Sequence, residues 1–206
     1  MKIFARSVAI VALAVFTVTS SSPVEATPLT YQAILSPEVT GATGSGTALA
    51  VIDATANTMR VVVNFAGLSG NVTVAHIHAP TTTAFTGTAG VATPTPSFPG
   101  FPSGGTSGSY DQTFDMTLTS SYRAGFITDS GGTTAGAEAR LFSAIADGKA
   151  YLNVHSSTFP GGEIRGFFVL APVPEIDPAT GSSALSLVAG VLAMIEQRRR
   201  RAMLVA

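Results

Sequence analysis

The 206-residue sequence contains no cysteine, only three histidines, and few charged residues, which make up 11% of the chain. Without cysteine there are no disulfide bonds and no thiolate metal ligands, so a metal site would have to use other donors. This absence does not place the protein in the cytosol, because many exported bacterial proteins also lack cysteine. The function classes that remain are those that need neither disulfides nor thiols.

The chain also has no large excess of positive or negative charge, since the formal net charge is −1. The arginines at 198–201 form a terminal cluster and not a folded basic face, so nothing indicates nucleic-acid binding. Residues 27–172 contain five basic and eight acidic residues and have a net charge of −3. This mild acidity argues against an anionic polymer as a purely electrostatic partner.

The first 26 residues have the pattern of a signal peptide. Lys2 and Arg6 precede an uninterrupted apolar run at 8–16, and Val24 and Ala26 place small residues at the −3 and −1 positions of a cleavage site. The apolar run is too short to favour an uncleaved membrane anchor. We therefore expect export, with a folded domain at 27–172.

The C-terminal region at 173–206 has three parts in order: a short motif, a 12-residue apolar stretch at 184–195, and the arginine cluster. As a helix the apolar stretch would be roughly 18 Å long, whereas a full membrane span needs about 20 residues. The arginines favour a marginal transmembrane helix held by positive charge. The motif consists of Val173, Pro174, Glu175, Ile176 and Asp177.

Together these three parts resemble a PEP-CTERM sorting signal of the VPEID type, which is processed by exosortases. The resemblance implies transient anchoring in the inner membrane, cleavage near the motif by an exosortase-type enzyme, and delivery to the cell surface or extracellular matrix. The alternative is a weakly anchored tail that is never cut.

Between these two ends, 21 glycines and 12 prolines accompany a 46% apolar composition, which favours short strands joined by turns. Alternating apolar and polar residues between turn signals predict seven strands. These are 29–35, 46–53, 58–68, 72–78, 110–119, 149–156 and 163–170.

One short helix is predicted at 135–148, with Gly148 as its C-terminal stop. Its apolar face consists of Ala137, Leu141, Ala144 and Ile145. The span Ala79–Ser109 is rich in Thr, Gly, Pro and Ser and predicts a long surface loop. We expect an all-β fold, either an antiparallel β-sandwich or a partly closed Greek-key barrel.

The histidines fall on polar faces of two predicted strands. Side chains alternate along a strand, so His76 and His78 share one face and Ile77 points to the other. By the same alternation His155 shares a face with Asn153. If the two strands are neighbours, three imidazoles can converge.

Two interpretations of these histidines stay open. The one that we favour at this point is a structural hydrogen-bond network, because an H-x-H pair is common. The other is a metal site, since imidazole suits copper and zinc and three nitrogens near 2.0–2.1 Å would bind such an ion.

Glu163 and Arg165 share a face of the last predicted strand, after a turn at Gly161 and Gly162. A functional interpretation is that Arg165 holds an anion or orients a ligand. The structural interpretation, which we favour, is an ion pair that fixes sheet register and contributes less than about 1 kcal/mol if exposed. Arg165 would then also donate to loop carbonyls.

The motifs HIHAP at 76–80 and YLNVHSSTFPGGEIRG at 151–166 resemble those of the CHRD domain, first described in chordin. The resemblance covers nearly all of residues 27–172. It implies an extracellular all-β module of the kind found in many exported bacterial proteins.

A more distant resemblance is to Cu/Zn superoxide dismutases, which also place an H-x-H on a strand. It implies that His76, His78 and His155 are copper ligands and that Arg165 guides anions. The chain has no fourth histidine to bridge copper and zinc, so the resemblance leaves a mononuclear His₃ site and argues against dismutase activity.

We therefore expect a surface- or matrix-associated module with a non-enzymatic binding or structural role and an extracellular polymer or surface component as partner. The alternative is a mononuclear His₃ protein that binds copper or zinc. No catalytic residues are assigned, because the chain has no G-x-S-x-G motif and no paired carboxylates in a recognisable glycosidase context.

Overall fold

The computed structural model describes residues 27–172 and 194–195. The described residues form eight strands, two α-helices and a 3₁₀ turn at Thr119–Ser121. The elements are β1 (Leu29–Pro37), β2 (Ser45–Asp53), β3 (Thr58–Ala66), β4 (Val72–His78), β5 (Gly108–Asp115), α1 (Ala124–Thr128), α2 (Thr134–Ala146), β6 (Tyr151–Ser156), β7 (Ile164–Phe167) and β8 (Val169–Leu170). The predicted signal peptide and the sorting motif lie outside the described residues.

The strands form one antiparallel sheet in the order β4-β6-β7-β1-β2-β3-β5, and β8 also pairs with β1. The sheet curls into a half-barrel, which confirms the predicted all-β antiparallel fold. The pairs β1–β2 and β2–β3 join strands that are consecutive in the sequence, whereas β1–β7 and β3–β5 join distant segments.

The apolar core lies against one face of the curled sheet. Along β3 the buried residues alternate with exposed ones, so that Met59, Val61 and Val63 are fully buried while Arg60 and Asn64 face solvent. This period of two places one face of β3 in the core and leaves the other face toward solvent.

Helix α2 packs on this core through the predicted apolar face, whose four residues are all buried. Its N-cap residue Thr133 accepts a hydrogen bond from the backbone N–H of Gly136, and Gly148 ends the helical segment at φ +66°. The prediction did not include α1, which is five residues long and buries only Phe126, because one turn shows no helical periodicity.

The prediction of a surface loop over Ala79–Ser109 is wrong for its middle, where Ala92, Thr93 and Phe98 are buried. We call residues 79–98 the covering segment, because it lies along the free edge of β4. An edge strand leaves backbone groups without partners, and the covering segment supplies them. Its composition resembles that of a surface loop because hydroxyl side chains serve as some of these partners.

The hydrogen bonds along this edge include both backbone and side-chain partners. Ala92 donates its N–H to the carbonyl of Ile77, and the N–H of Ile77 donates to the hydroxyl of Thr93 at 2.9 Å. Two residues earlier on β4, the N–H of Ala75 donates to the Ser97 hydroxyl at 3.0 Å. The covering segment is therefore fixed to the strand that carries two of the histidines.

None of the described helices is long and apolar enough to cross a lipid bilayer. The apolar stretch at 184–195, predicted to be a marginal transmembrane helix, lies outside the described residues except for its last two positions.

Candidate metal centre

Strands β4 and β6 lie side by side and run antiparallel, so the two histidine-bearing segments meet. In their register His76 is opposite Asn153, His78 is opposite Tyr151, and Val74 is opposite His155. The apolar neighbours Ile77, Leu152 and Val154 face the core and are fully buried. The imidazoles therefore share the opposite face of the sheet, as the alternation of side chains predicts.

The three imidazole rings cluster on this face. Ring centroids are 5.5 Å apart for His76 and His155, 5.9 Å for His76 and His78, and 6.1 Å for His78 and His155. Each ring contributes one nitrogen to a set in which all nitrogens lie within 4.8 Å of one another. In the part of the chain that the structure describes, this is the one group of three or more metal-ligating side chains.

One nitrogen of each ring is hydrogen-bonded to a backbone carbonyl. His76 Nε2 bonds to the Pro96 carbonyl at 2.6 Å, and His78 Nδ1 bonds to the Ala89 carbonyl at 2.9 Å. The Nδ1 atom of His155 bonds to the carbonyl of Pro160 at 2.9 Å. A carbonyl oxygen can only accept, so each of these nitrogens carries the ring proton and the tautomer of each neutral imidazole is fixed.

The other nitrogen of each ring is buried and has no hydrogen-bond partner. These atoms are His76 Nδ1, His78 Nε2 and His155 Nε2. Leaving a buried acceptor unsatisfied costs about 1–3 kcal/mol per group. The hydrogen-bond network favoured from the sequence thus accounts for one nitrogen of each ring and leaves three lone pairs on the same side of the sheet.

Burial also favours the neutral form of His76 and His78. It lowers the pKa of His76 to about 4, against the opposing effect of the Pro96 carbonyl and with further lowering by His155 and His78. Burial likewise lowers the pKa of His78, although the carbonyl of Ala89 acts in the opposite direction. A neutral imidazole with a fixed tautomer is the form that binds a metal ion.

The nitrogen separations are close to those that an ion needs. Three nitrogens at 2.0–2.1 Å from one ion lie about 3.3–3.6 Å from each other, compared with the 4.8 Å limit of the present set. A contraction of at most about 1.2–1.5 Å by side-chain rotation would satisfy this geometry. The donor set fits one transition-metal ion.

Tyr151 supports His78 from the neighbouring strand. The two rings stack at a centroid distance of 4.9 Å and an interplanar angle of 4°. The Tyr151 hydroxyl accepts a hydrogen bond of 3.3 Å from the N–H of Ala89, whose carbonyl holds His78. Tyr151 therefore fixes both the ring and the part of the covering segment that orients it.

Arg165 lies on the far side of Tyr151, with its guanidinium carbon 5.0 Å from the ring centroid. Its Nη1 atom forms a 3.2 Å ion pair with Glu38 and donates to the Gly87 carbonyl at 3.1 Å. The ion-pair partner is therefore Glu38, at the end of the β1 region, and the loop carbonyl belongs to the covering segment. Nothing in the sequence indicates Glu38, because its ion pair with Arg165 depends on the pairing of β1 with β7, which are far apart in the chain.

Glu163, the other residue predicted on this strand, has a different environment. Its side chain is fully buried, and its Oε1 atom accepts hydrogen bonds from the backbone N–H and the hydroxyl of Ser69. Burial raises the pKa of Glu163, but hydrogen bonds from Ser156 and Ser69 outweigh this effect and the net pKa is lowered. Glu163 thus joins the turn before β4 to the start of β7.

Asn153 lies between the histidines and Arg165 and donates to Glu38 Oε2 at 2.9 Å. Gly162, with φ +132°, passes so close that a Cβ atom there would overlap both the Asn153 amide and the Glu38 carboxylate. Nothing in the sequence indicates that Glu38 or the carbonyls of Ala89, Pro96 and Pro160 belong to the site, and strand alternation places Asn153 only on the face of His155. The signal that could have shown Gly162 is the Gly-Gly pair next to a polar strand face.

Comparison with known families matches two parts of the chain. A family model described as CHRD domain matches residues 26–168, and a model described as VPEID-CTERM protein sorting domain matches residues 173–203. The second match includes the predicted sorting motif at 173–177, which lies outside the described residues. No curated protein and no solved structure matches the chain.

Proposed function

The chain belongs to the CHRD domain family and carries a VPEID-CTERM sorting domain, and we propose that this exported, cell-surface protein binds one transition-metal ion through His76, His78 and His155. The ion would be copper or zinc, the metals that suit imidazole and this coordination geometry.

The observation that carries this proposal is the set of three buried imidazole nitrogens without a hydrogen-bond partner. In each ring the second nitrogen is committed to a backbone carbonyl, so a simple change of tautomer cannot satisfy the free one without breaking that bond. A metal ion satisfies all three at once. Metal binding would explain why three buried nitrogens without hydrogen-bond partners lie on one face of the sheet.

The role that we propose for the ion is structural and non-enzymatic. His76 and His78 belong to β4 and His155 to β6, and two of the carbonyls that bond to these rings belong to the covering segment. An ion bound here would join two strands and a loop in a domain that has no cysteine for disulfides. The metal would stabilise the folded state by mass action.

We also propose the route by which the domain reaches the surface. Residues 1–26 would be removed as a signal peptide, the apolar stretch at 184–195 would anchor the chain transiently in the inner membrane, and an exosortase-type enzyme would cut near residues 173–177. The match of the sorting domain to 173–203 supports this route. The partner at the surface would be an extracellular polymer or another surface component.

The proposal is tested by metal analysis of the exported protein, purified and reconstituted with copper or zinc. We expect one equivalent of bound metal and a rise in melting temperature, and loss of both in His76→Ala. Tyr122→Phe is a control variant, because it removes a buried hydroxyl that donates to the carbonyl of Met116 and bonds to none of the histidines. Substoichiometric metal in the wild-type protein would contradict the proposal.

A further inference from the structure

We infer that the side-chain oxygen of Asn153 is a fourth ligand, so that His76, His78, His155 and Asn153 form a closed centre for one divalent ion such as zinc. The inference rests on the proposed function, because it concerns the same ion. Three observations carry it: the position of Asn153, the orientation of its amide, and the lack of a partner for its oxygen.

The position of Asn153 brings its side chain next to the imidazole cluster. Asn153 lies on β6 directly opposite His76 of β4, and strand alternation places it on the same face as His155. The Cβ atoms of two residues that face each other across an antiparallel pair are about 4.5–5.5 Å apart. The Asn153 residue is only 2% exposed, so its amide is buried beside the ring of His76 and does not reach solvent.

The orientation of this amide is fixed by Glu38. Asn153 Nδ2 donates to Glu38 Oε2 at 2.9 Å, and a carboxylate oxygen can only accept, so a flipped amide would place two acceptors against each other. Glu38 is held by Arg165, which lies opposite Asn153 on β7. Since β7 and β4 are on opposite sides of β6, the amide nitrogen is turned toward β7 and the oxygen toward β4 and His76.

The oxygen of Asn153 is buried and has no hydrogen-bond partner. The described residues contain five buried side-chain polar atoms of this kind, and three of them are the free imidazole nitrogens. The other two are Asn153 Oδ1 and Glu163 Oε2. An ion that binds the three nitrogens and Asn153 Oδ1 would satisfy four of these five atoms at once, each of which costs about 1–3 kcal/mol when unsatisfied.

Three nitrogens and one oxygen form a complete ligand set for zinc. Zinc in structural sites is almost always tetrahedral with four protein ligands, whereas a catalytic site keeps one position for water or substrate. With Asn153 Oδ1 in the fourth position the site is closed. A closed site agrees with the structural, non-enzymatic role that we propose for the ion.

Glu163 supplies negative charge to this part of the sheet. It is fully buried, hydrogen bonds keep its pKa low, and among the described residues it takes part in no ion pair. Its backbone N–H donates to the carbonyl of Val154, the neighbour of His155 on β6. A buried cation is stabilised by an opposite charge nearby, so this uncompensated carboxylate favours a divalent ion.

The experiment measures the Zn(II) affinity of the exported apo-protein, by competition with a chromophoric chelator, in wild type, Asn153→Leu and Asn153→Asp. Both variants lose the hydrogen bond to Glu38, because neither leucine nor an ionised aspartate donates, but only Asn153→Asp keeps an oxygen ligand. We expect one equivalent of zinc in the wild type and an affinity at least about tenfold weaker in Asn153→Leu. Asn153→Asp should bind zinc within about threefold of the wild type, or more tightly, because carboxylate oxygen is a zinc ligand.

The outcomes separate this inference from the proposed function. Equal weakening in the two variants would show that Asn153 acts only through Glu38, and wild-type affinity in Asn153→Leu would show that it has no part in binding. Either result would overturn the fourth ligand and leave the three-histidine site intact. Failure of the wild-type protein to bind zinc or copper would contradict the proposed function itself.

A crystal structure of the zinc-loaded wild-type protein tests the fourth ligand without any substitution, so the test does not depend on the folding of the variants. We expect Asn153 Oδ1 at about 2.0–2.2 Å from the ion. A water molecule in the fourth position, with Asn153 Oδ1 outside the coordination sphere, would overturn the inference.

Discussion

His76 and His155 lie with their ring centroids 5.5 Å apart, yet neither ring bonds to the other, because each commits one nitrogen to a backbone carbonyl and leaves the other free. The two carbonyls come from different parts of the chain, Pro96 in the covering segment and Pro160 in the β6–β7 turn. Such an arrangement fixes the direction of both lone pairs before any ligand arrives. This is the preorganisation that a metal site requires.

Replacing His155 by alanine should abolish the metal-dependent rise in melting temperature. The expected loss of metal affinity is at least 100-fold, because the two remaining imidazoles provide only two of the three nitrogen ligands. The melting temperature with and without metal, measured in wild type and variant, checks this. An unchanged metal-dependent rise in His155→Ala would show that the ion binds elsewhere.

The apo-protein should lose stability as the pH falls from about 6.5 to about 4. Burial lowers the pKa of His76 to about 4 in the folded state, while an unfolded histidine has a pKa near 6.5. In this range the unfolded state binds more protons, so the free energy of unfolding falls with falling pH. The contribution of His76 is of the order of 3 kcal/mol at neutral pH, and it is lost by about pH 4.

Urea unfolding of the metal-free protein at pH 7.5, 5.5 and 4.5 measures this dependence. Since carboxylates also titrate at the lower end, the comparison with His76→Ala isolates the histidine. Between pH 7.5 and 5.5, the free energy of unfolding of His76→Ala should fall distinctly less than that of the wild-type protein. Parallel curves for the two proteins would contradict the assignment.

Gly162→Ala should destabilise the domain by at least about 2 kcal/mol, since a Cβ atom would overlap the Asn153 amide and the Glu38 carboxylate. The adjacent Gly161 provides a matched control, because a Cβ there meets no atom within 4 Å. Gly161→Ala should change the free energy of unfolding by less than about 1 kcal/mol. Equal effects in the two variants would show that the packing around Asn153 does not require glycine.

The Glu38–Arg165 pair should stabilise the covering segment more than an ordinary surface ion pair would. Its side chains are 12% and 25% exposed, whereas those of the Arg60–Asp111 pair are about half exposed. We expect a coupling energy of about 1 kcal/mol for Glu38–Arg165 and less for Arg60–Asp111 in double-mutant cycles. Arg165→Gln should also increase hydrogen exchange at the N–H of Ala89, because Gly87 loses its donor. Equal coupling energies would contradict this difference.

The elements with a local pattern could be predicted from the sequence. Strand β4 matches its predicted bounds, and the buried face of α2 contains the four predicted residues. The shared face of His76 and His78 follows from strand alternation alone. The meeting of His155 with this pair was conditional on strand order, which no local pattern determines.

The parts of the site that escaped prediction depend on contacts between distant segments. The carbonyls of Ala89 and Pro96 belong to the covering segment, whose Thr, Gly and Pro residues have no periodicity. Every residue has a backbone carbonyl, so the amino-acid composition does not show which carbonyls accept hydrogen bonds from the histidines. Glu38 reaches Arg165 only through the β1–β7 pairing, which joins the two ends of the domain.

The most direct test of the metal centre is a crystal structure of the copper-loaded protein with data collected on both sides of the copper absorption edge. We predict one anomalous peak at about 2.0–2.1 Å from His76 Nδ1, His78 Nε2 and His155 Nε2. A peak at other side chains, or three imidazoles that keep their separations with no peak between them, would contradict the site.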